Sequence, residues 1–252
     1  MAIPLFLDTL VGIGSIRGSP REVLNMSPVF RSKNEVVYDV LCQSIITGEL
    51  KPGSRFVIDQ LAIELGVSQI PIREAMRRLE SDGFVTVEPY SGARVTEITT
   101  DFIFEVFALL ESMEVISSRA ACRVMSDEDM EKLARLIEKM DDSVNDPERW
   151  SQENKELHLF ICELANSSLT QRFMAKMLAH WDRLRLHYLS DVFGQRIQIA
   201  QKDHHQILAA FRTRDPEEVE QVIRGHNQRA LAAYVKHLQS AGHLEAGKIG
   251  WI

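Results

Sequence analysis

Apolar residues recur every three or four positions along most of this chain, and one stretch changes to β-rich runs. Val37, Val40, Leu41, Ser44 and Ile45 share one helical phase over 34–47, and the phase stops at Gly48. A short helix is predicted over 58–65, with Leu61, Ala62 and Leu65 at packing positions and Gly66 supplying a turn. Between Gly66 and Gly83 an amphipathic helix is predicted. Ser68 stands at its N-cap and Pro71 in its first turn, where a missing N–H costs no intrahelical bond. At about 100° per residue, Ile72, Ala75, Met76 and Leu79 fall on one side and Arg73 and Arg77 on the other. The β-rich runs 84–88 and 93–97 follow, joined by a predicted hairpin turn over Pro89, Tyr90, Ser91 and Gly92. These elements make a winged helix-turn-helix over 28–98.

Beyond residue 98 every period is helical. Thr99 or Thr100 caps a long helix in which Phe102, Val106, Leu110, Met113, Ser117 and Ala120 keep one phase. Ser126 and Asp129 form a capping box before Leu133, Ile137 and Met140, and Asn145-Asp146-Pro147 ends that helix. Further helices are expected over about 149–166, 169–190, 195–212 and 216–238. The predicted fold is therefore mainly α, a winged helix-turn-helix followed by an all-α antiparallel bundle over 99–238. Residues 1–27, with Gly12, Gly14, Gly18 and Pro20, lack sustained periodicity and are expected to be disordered, with Met26 a candidate translation start. The tail 239–252 is expected to be mobile.

A length of 252 residues suits two modest domains, each with its own core. The net charge of −7 means that attraction to a polyanion must come from local clusters and not from the overall field. Cys42, Cys122 and Cys162 offer no CxxC spacing and no even count, which argues against a disulfide framework or a thiolate metal site and for a reducing cytoplasm. No apolar run approaches membrane-spanning length, so no membrane partner is expected.

Guanidinium groups on a helix narrow enough for the major groove suit phosphates and base edges, and here Arg73 and Arg77 lie one turn apart, with Arg94 on the wing. A lone Arg-x-x-x-Arg is usually a solvated helix face, but here the signal is compound. The order Gly48-Glu49-Leu50-Lys51-Pro52-Gly53, Gln60-Leu61-Ala62, Gly66-Val67-Ser68, Pro71-Ile72-Arg73-Glu74-Ala75, Arg78-Leu79-Glu80 and Asp82-Gly83, then Pro89, Gly92 and Val95, resembles the winged-helix domain of GntR-family bacterial transcription regulators. The resemblance implies binding to double-stranded operator DNA, and the expected contact set is Ser68, Gln69, Arg73, Arg77, Gly92 and Arg94. Gln69 and Ile70 stand where relatives often carry arginine and threonine, and a glutamine can read adenine bidentately.

The second domain directs three histidines inward. Asn154 and His158 sit one turn apart in the apolar stripe of Trp150, Leu157, Ile161 and Leu164, His204 among Ile197, Ala200, Ile207 and Phe211, and His226 among Val219, Val222, Ile223 and Ala230. Buried imidazoles are costly without partners, and a divalent cation satisfies several at once. The segments Asn154-Lys155-Glu156-Leu157-His158, Asp203-His204-His205-Gln206-Ile207-Leu208 and Arg224-Gly225-His226 resemble the metal signature of the FCD domain, the effector domain of FadR-like GntR regulators. That resemblance implies a metal ion such as Zn, Ni or Mn held by Asn154, His158, His204 and His226, with Asn154 in place of the family's usual aspartate. It also implies a small organic-acid effector and a homodimer that represses transcription from a pseudo-palindromic operator. The family's arginine one turn before a glutamate on the first FCD helix is absent, since Phe107 precedes Glu111 and Leu110 precedes Glu114. That leaves two readings: an effector less acidic than usual, or one gripped from elsewhere, with Arg183 and Arg185 as candidates against the commoner role of solvated arginines. The rival function is a hydrolase whose three-histidine metal activates water. No inward Glu or Asp is expected near these helices to act as its general base, and the winged helix would then be unexplained.

Overall fold

The structure is a computed structural model that describes residues 32–88, 92–240 and 242, and it divides between Glu97 and Ile98 into two units. The first unit is built on α1 (Lys33–Thr47), α2 (Ile58–Leu65) and α3 (Gln69–Ser81), with strands β1 (Arg55–Phe56), β2 (Val85–Glu88) and β3 (Gly92–Val95). All four predicted apolar positions of α3 are buried, and they meet Val37, Leu41 and Ile45 of α1 and Leu61 and Leu65 of α2 in one small core. Each large aliphatic side chain removed from water there contributes about 1.5–3 kcal/mol. This anchoring leaves the opposite face of α3, with Arg73 and Arg77, in solvent.

Two local expectations need correction. Ser68 has the extended backbone of an N-cap, but its side chain accepts no capping bond, so the start of α3 is set by the Gly66 turn and tertiary packing. The wing is a three-stranded antiparallel sheet of order β1-β3-β2 and not a bare hairpin, because the two-residue β1, too short to show any alternation, pairs Arg55 with Arg94 and Phe56 with Ala93. Gly92 makes that close approach possible. Its φ is +95°, and a Cβ there would lie 2.3 Å from the Phe56 carbonyl oxygen. The predicted turn residues Pro89, Tyr90 and Ser91 lie outside the described residues, as do the extension 1–27 and most of the tail 239–252.

The second unit is helical throughout its described residues. It comprises α4 (Thr100–Val124), α5 (Asp127–Asp141), α6 (Pro147–Leu164), α7 (Ser168–Leu184), a π-helical turn (Arg185–Leu189), α8 (Ser190–Thr213) and α9 (Pro216–Ser240). Helix starts follow the sequence: Thr99 accepts from the Phe102 N–H, Ser126 and Asp129 form the reciprocal box, and Asp146 accepts from the Arg149 N–H ahead of a helix opened by Pro147. Leu133, Ile137 and Met140 are fully buried. α4 packs against α6, α7 and α9, while α8 packs against α5 and α9.

The predicted break between 190 and 195 is also corrected. Gly194 lies inside α8, and the helical path changes at Leu189, whose φ of −120° and ψ of 5° close the π turn. Leu184, Leu189, Phe193 and Ile197 are all buried, so the apolar stripe runs through the junction and no loop is needed. The three cysteines are free and buried, and among the described residues no helix is long and apolar enough to cross a membrane.

Gly92→Ala is expected to destabilise the sheet by about 1–3 kcal/mol, since a side chain at positive φ is strained and the added methyl meets the Phe56 carbonyl. Chemical denaturation of variant and parent tests this. An unchanged midpoint would mean that β1 is not held against β3.

Candidate functional site

The exposed face of α3 is more organised than its sequence indicates. Gln69 Nε2 donates to Asp59 Oδ1 of α2 at 2.6 Å, and Gln69 Oε1 accepts from Arg73 Nη2 at 3.3 Å. Asp59 is ten residues from Gln69 in sequence and was not anticipated as part of the surface. Exposed bonds of this kind contribute little to stability, but they bias the rotamers of Gln69 and Arg73 before any ligand arrives. Because the Gln69 amide already engages both neighbours, bidentate adenine reading would require it to share or exchange these bonds.

Ile70, at the second position of α3, is 68 % exposed. Arg77 is exposed on the next turn. Arg94 projects from β3 and donates to the Gly53 carbonyl at 2.8 Å, so the wing arginine is tied to the loop before β1. Arg78 serves the scaffold: its guanidinium lies 3.9 Å from the Tyr38 ring centroid and beside Asp82, which accepts from the Tyr38 hydroxyl.

In the helical unit, α6, α8 and α9 bring His158, His204 and His226 together, with one ligand nitrogen from each within 4.8 Å of the others. Ring centroids are separated by 5.8, 6.0 and 5.1 Å. All three rings are buried. Burial holds the His158 and His204 pKa values below the ordinary histidine range; Glu114 works against this at His158, and the neighbouring imidazoles reinforce it at His204. Both rings are therefore neutral at pH 7, as metal ligands must be.

Outer partners decide which nitrogen faces inward. His158 Nδ1 lies 3.1 Å from Glu114 Oε1 and His226 Nδ1 lies 3.3 Å from Asp203 Oδ2, so in each ring Nδ1 carries the proton and donates it. His204 Nδ1 faces Gln201 Oε1 at 3.4 Å. The orientation of that amide is set because Gln201 Nε2 donates to the Ile137 carbonyl and to Asp141, while its oxygen accepts from Trp150 Nε1. His204 Nε2 is left as a buried lone pair with no partner, and the ring stacks on Trp150 at 5.4 Å. Asn154 Oδ1, one turn before His158, is likewise buried without a partner. Three imidazoles with ligand nitrogens this close form a donor set suited to a borderline divalent ion, and Asn154 on the adjoining cavity wall adds a neutral oxygen near His158 in sequence.

A cavity of about 60 Å³ adjoins this cluster and is lined by Glu114, Asn154, His158 and His226 at its polar side. A single water needs about 10–15 Å³ by the same measure, so the space admits several waters or a small organic molecule. Neither Arg183 nor Arg185 is among the lining residues. Arg183 is completely buried, and Arg185 makes a two-pronged pair with Glu148 at 2.8 and 3.1 Å. The arginine on the wall is Arg196, which no sequence motif marks as a site residue. It lies in phase with Ala200 and Ile207, one and three turns later on α8, and that phase is the signal the sequence carries.

Contrary to expectation, two acidic residues, Glu114 and Asp203, do point inward. Asp203 is held below the usual carboxylate range: burial would raise it, but hydrogen bonds from His226 and Arg229 outweigh that effect. Each acid accepts from a histidine Nδ1–H, and Glu114 also accepts from Asn227, so these carboxylates orient the imidazoles.

Arg73→Ala is expected to reduce operator affinity by about 1–3 kcal/mol with the fold intact, as befits a base or phosphate contact. Fluorescence anisotropy on labelled duplex DNA measures it, and unchanged binding would remove Arg73 from the reading surface. Glu114→Gln, which retains the volume but places an amide donor near His158 or Asn227, is expected to weaken metal affinity about 10–100-fold. Competition against a chromogenic chelator would detect that loss.

Comparison with known proteins matches both units. Residues 33–95 match the family described as "Bacterial regulatory proteins, gntR family", and residues 105–229 match the FCD domain. The HTH-type transcriptional regulator YdhC of Bacillus subtilis (strain 168) is 24 % identical over 210 residues, which is 81 % of this chain and 92 % of YdhC. McbR of Escherichia coli (strain K12) is 27 % identical over 175 residues, 68 % of this chain and 78 % of McbR. The transcriptional repressor RspR of the same strain is 22 % identical over 205 residues, 77 % of this chain and 86 % of RspR. The solved structure of E. coli McbR/YncC superposes with a TM-score of 0.67 at 25 % identity, covering 82 % of this chain and 99 % of that one. These relatives are regulators and not enzymes, which leaves the hydrolase reading without support. With a gntR-type winged helix followed by an FCD domain, the chain belongs to the GntR family of bacterial transcriptional regulators.

Proposed function

We propose that this regulator is a metal-dependent, effector-responsive repressor that binds a pseudo-palindromic operator as a homodimer and leaves it when a small organic acid enters the helical unit. The GntR winged helix implies DNA binding and the FCD domain implies a small-molecule effector. The observation that carries the finer reading is the histidine cluster, in which every Nδ1 is secured by an outer acceptor, while His204 Nε2 and Asn154 Oδ1 are buried without partners. Leaving such groups unmade costs about 1–3 kcal/mol each, and an ion at their focus removes that cost. His158, His204 and His226 would hold the metal with Asn154 beside them. The bound ion would supply a Lewis-acidic position open to a carboxylate oxygen.

Asn154 is neutral where the family's usual ligand is charged, so this site carries one negative charge fewer, which favours an anionic effector as a further ligand. Repression is supported by the likeness to RspR. In a two-fold dimer the separation of the two α3 helices must match successive major grooves. An effector that stabilises a mismatched arrangement by about 1–3 kcal/mol lowers operator affinity about 5–150-fold.

The test is metal content of the full chain purified without chelator or nickel affinity resin, beside His204→Ala. Near-stoichiometric metal is expected in the parent and none in the variant, while both retain operator binding in the absence of effector. Equal metal content in the two proteins would sink the assignment.

A further inference from the structure

The helical unit contains a charge imbalance at the far end of its cavity. Its buried carboxylates all have partners: Glu114 accepts from His158 and Asn227, Glu153 from Ser143 and Arg149, Asp182 from Lys155, and Asp203 from His226 and Arg229. Arg196 is different. It is 6 % exposed, lines the cavity, and its Nη1 is buried with no hydrogen-bond partner. Its guanidinium lies 5.4 Å from the Tyr234 ring centroid, and Tyr234 joins Trp181 and Phe107 in an aromatic cluster with centroid distances of 5.2 to 5.6 Å. An aromatic face softens the burial of a guanidinium but leaves its in-plane donors unmatched.

Arg196 and the histidines mark opposite ends of the same wall. Arg196 and His204 are eight residues apart on α8, and His226 and Tyr234 are eight apart on α9, so each helix advances about 12 Å from one end to the other. Ile197, Ala200, Leu110 and Ala230 contribute apolar surface to the same cavity lining. We infer that the cavity takes a small organic dicarboxylate, with one carboxylate at the histidine end and the second on the Arg196 guanidinium, joined by a short apolar or aromatic spine. This rests on the effector site proposed above and adds a second anchor and a ligand class to it. A buried cation with no counter-charge destabilises the ligand-free protein, and the second carboxylate supplies that charge through charge-assisted hydrogen bonds.

The experiment uses the full chain supplied with zinc, as parent, Arg196→Met, Arg196→Lys and His204→Ala. Melting and tryptophan fluorescence are followed with glutarate, adipate and terephthalate against pentanoate, hexanoate and benzoate, because Trp150 and Trp181 both line the cavity. Without ligand, Arg196→Met is expected to melt about 2–4 °C higher than the parent, the sign for removal of an unmatched buried charge. At least one dicarboxylate should bind the parent more tightly than its monoacid does. Arg196→Met should lose that binding about ten- to hundred-fold, and Arg196→Lys should recover part of it. A lower melting point for Arg196→Met would make Arg196 a structural contact and overturn the inference. So would equal binding by parent and Arg196→Met, or no binding of any dicarboxylate to the zinc-supplied parent. Failure of the metal reading has a separate signature, equal zinc content in His204→Ala and parent, whatever the Arg196 variants do.

Discussion

Three imidazoles can share the interior of a helical bundle only if each Nδ1 proton has somewhere to go. Glu114, Gln201 and Asp203 provide those destinations from α4 and α8. The arrangement extends outward: Gln201 is held in turn by Trp150, Asp141 and the Ile137 carbonyl, and Asp203 by Arg229. Because the unit's helices all contribute to this polar core or pack around it, their relative placement and the direction of the inward lone pairs are one constraint. A partly satisfied network of this kind would cost more than an apolar core, and the unpartnered His204 Nε2 and Asn154 Oδ1 are the atoms on which the proposed metal site rests.

The N-terminal unit uses a simpler division of labour. One face of α3 is consumed by packing against α1 and α2, and this holds the other face in a set orientation toward solvent. The Asp59–Gln69–Arg73 chain then restricts side chains that would otherwise sample many rotamers. β1 does the same for the wing, tying β3 and Arg94 to the loop after α1. An acidic protein can thus present a locally cationic reading surface, since attraction to phosphate acts within about a Debye length of 8–10 Å and is governed by nearby charges.

The cavity shows why a single helix is a poor guide to a ligand site. Arg183 and Arg185 were reasonable candidates on α7 and beyond, yet one is sealed in the core and the other is taken by Glu148, 37 residues away. Arg196 is not legible as a site residue in sequence, because an arginine in an apolar stripe ordinarily extends its head to water. Only the surrounding helices show that its head stays inside.

What the sequence determined by itself is whatever repeats along one element: the helical periods, the capping residues at Thr99 and Ser126, the two faces of α3, and the inward phase of His158, His204 and His226. These follow from backbone geometry, which places every third or fourth residue on one side whatever the rest of the chain does. Tertiary structure decided the rest: the pairing of β1 with β3, the π turn that carries the helix past Leu189, the acceptors behind each histidine, and the burial of Arg196 without a counter-charge. Each of these is a meeting between residues far apart in the chain, chosen by packing and by hydrogen-bond satisfaction in three dimensions, and no local period encodes it.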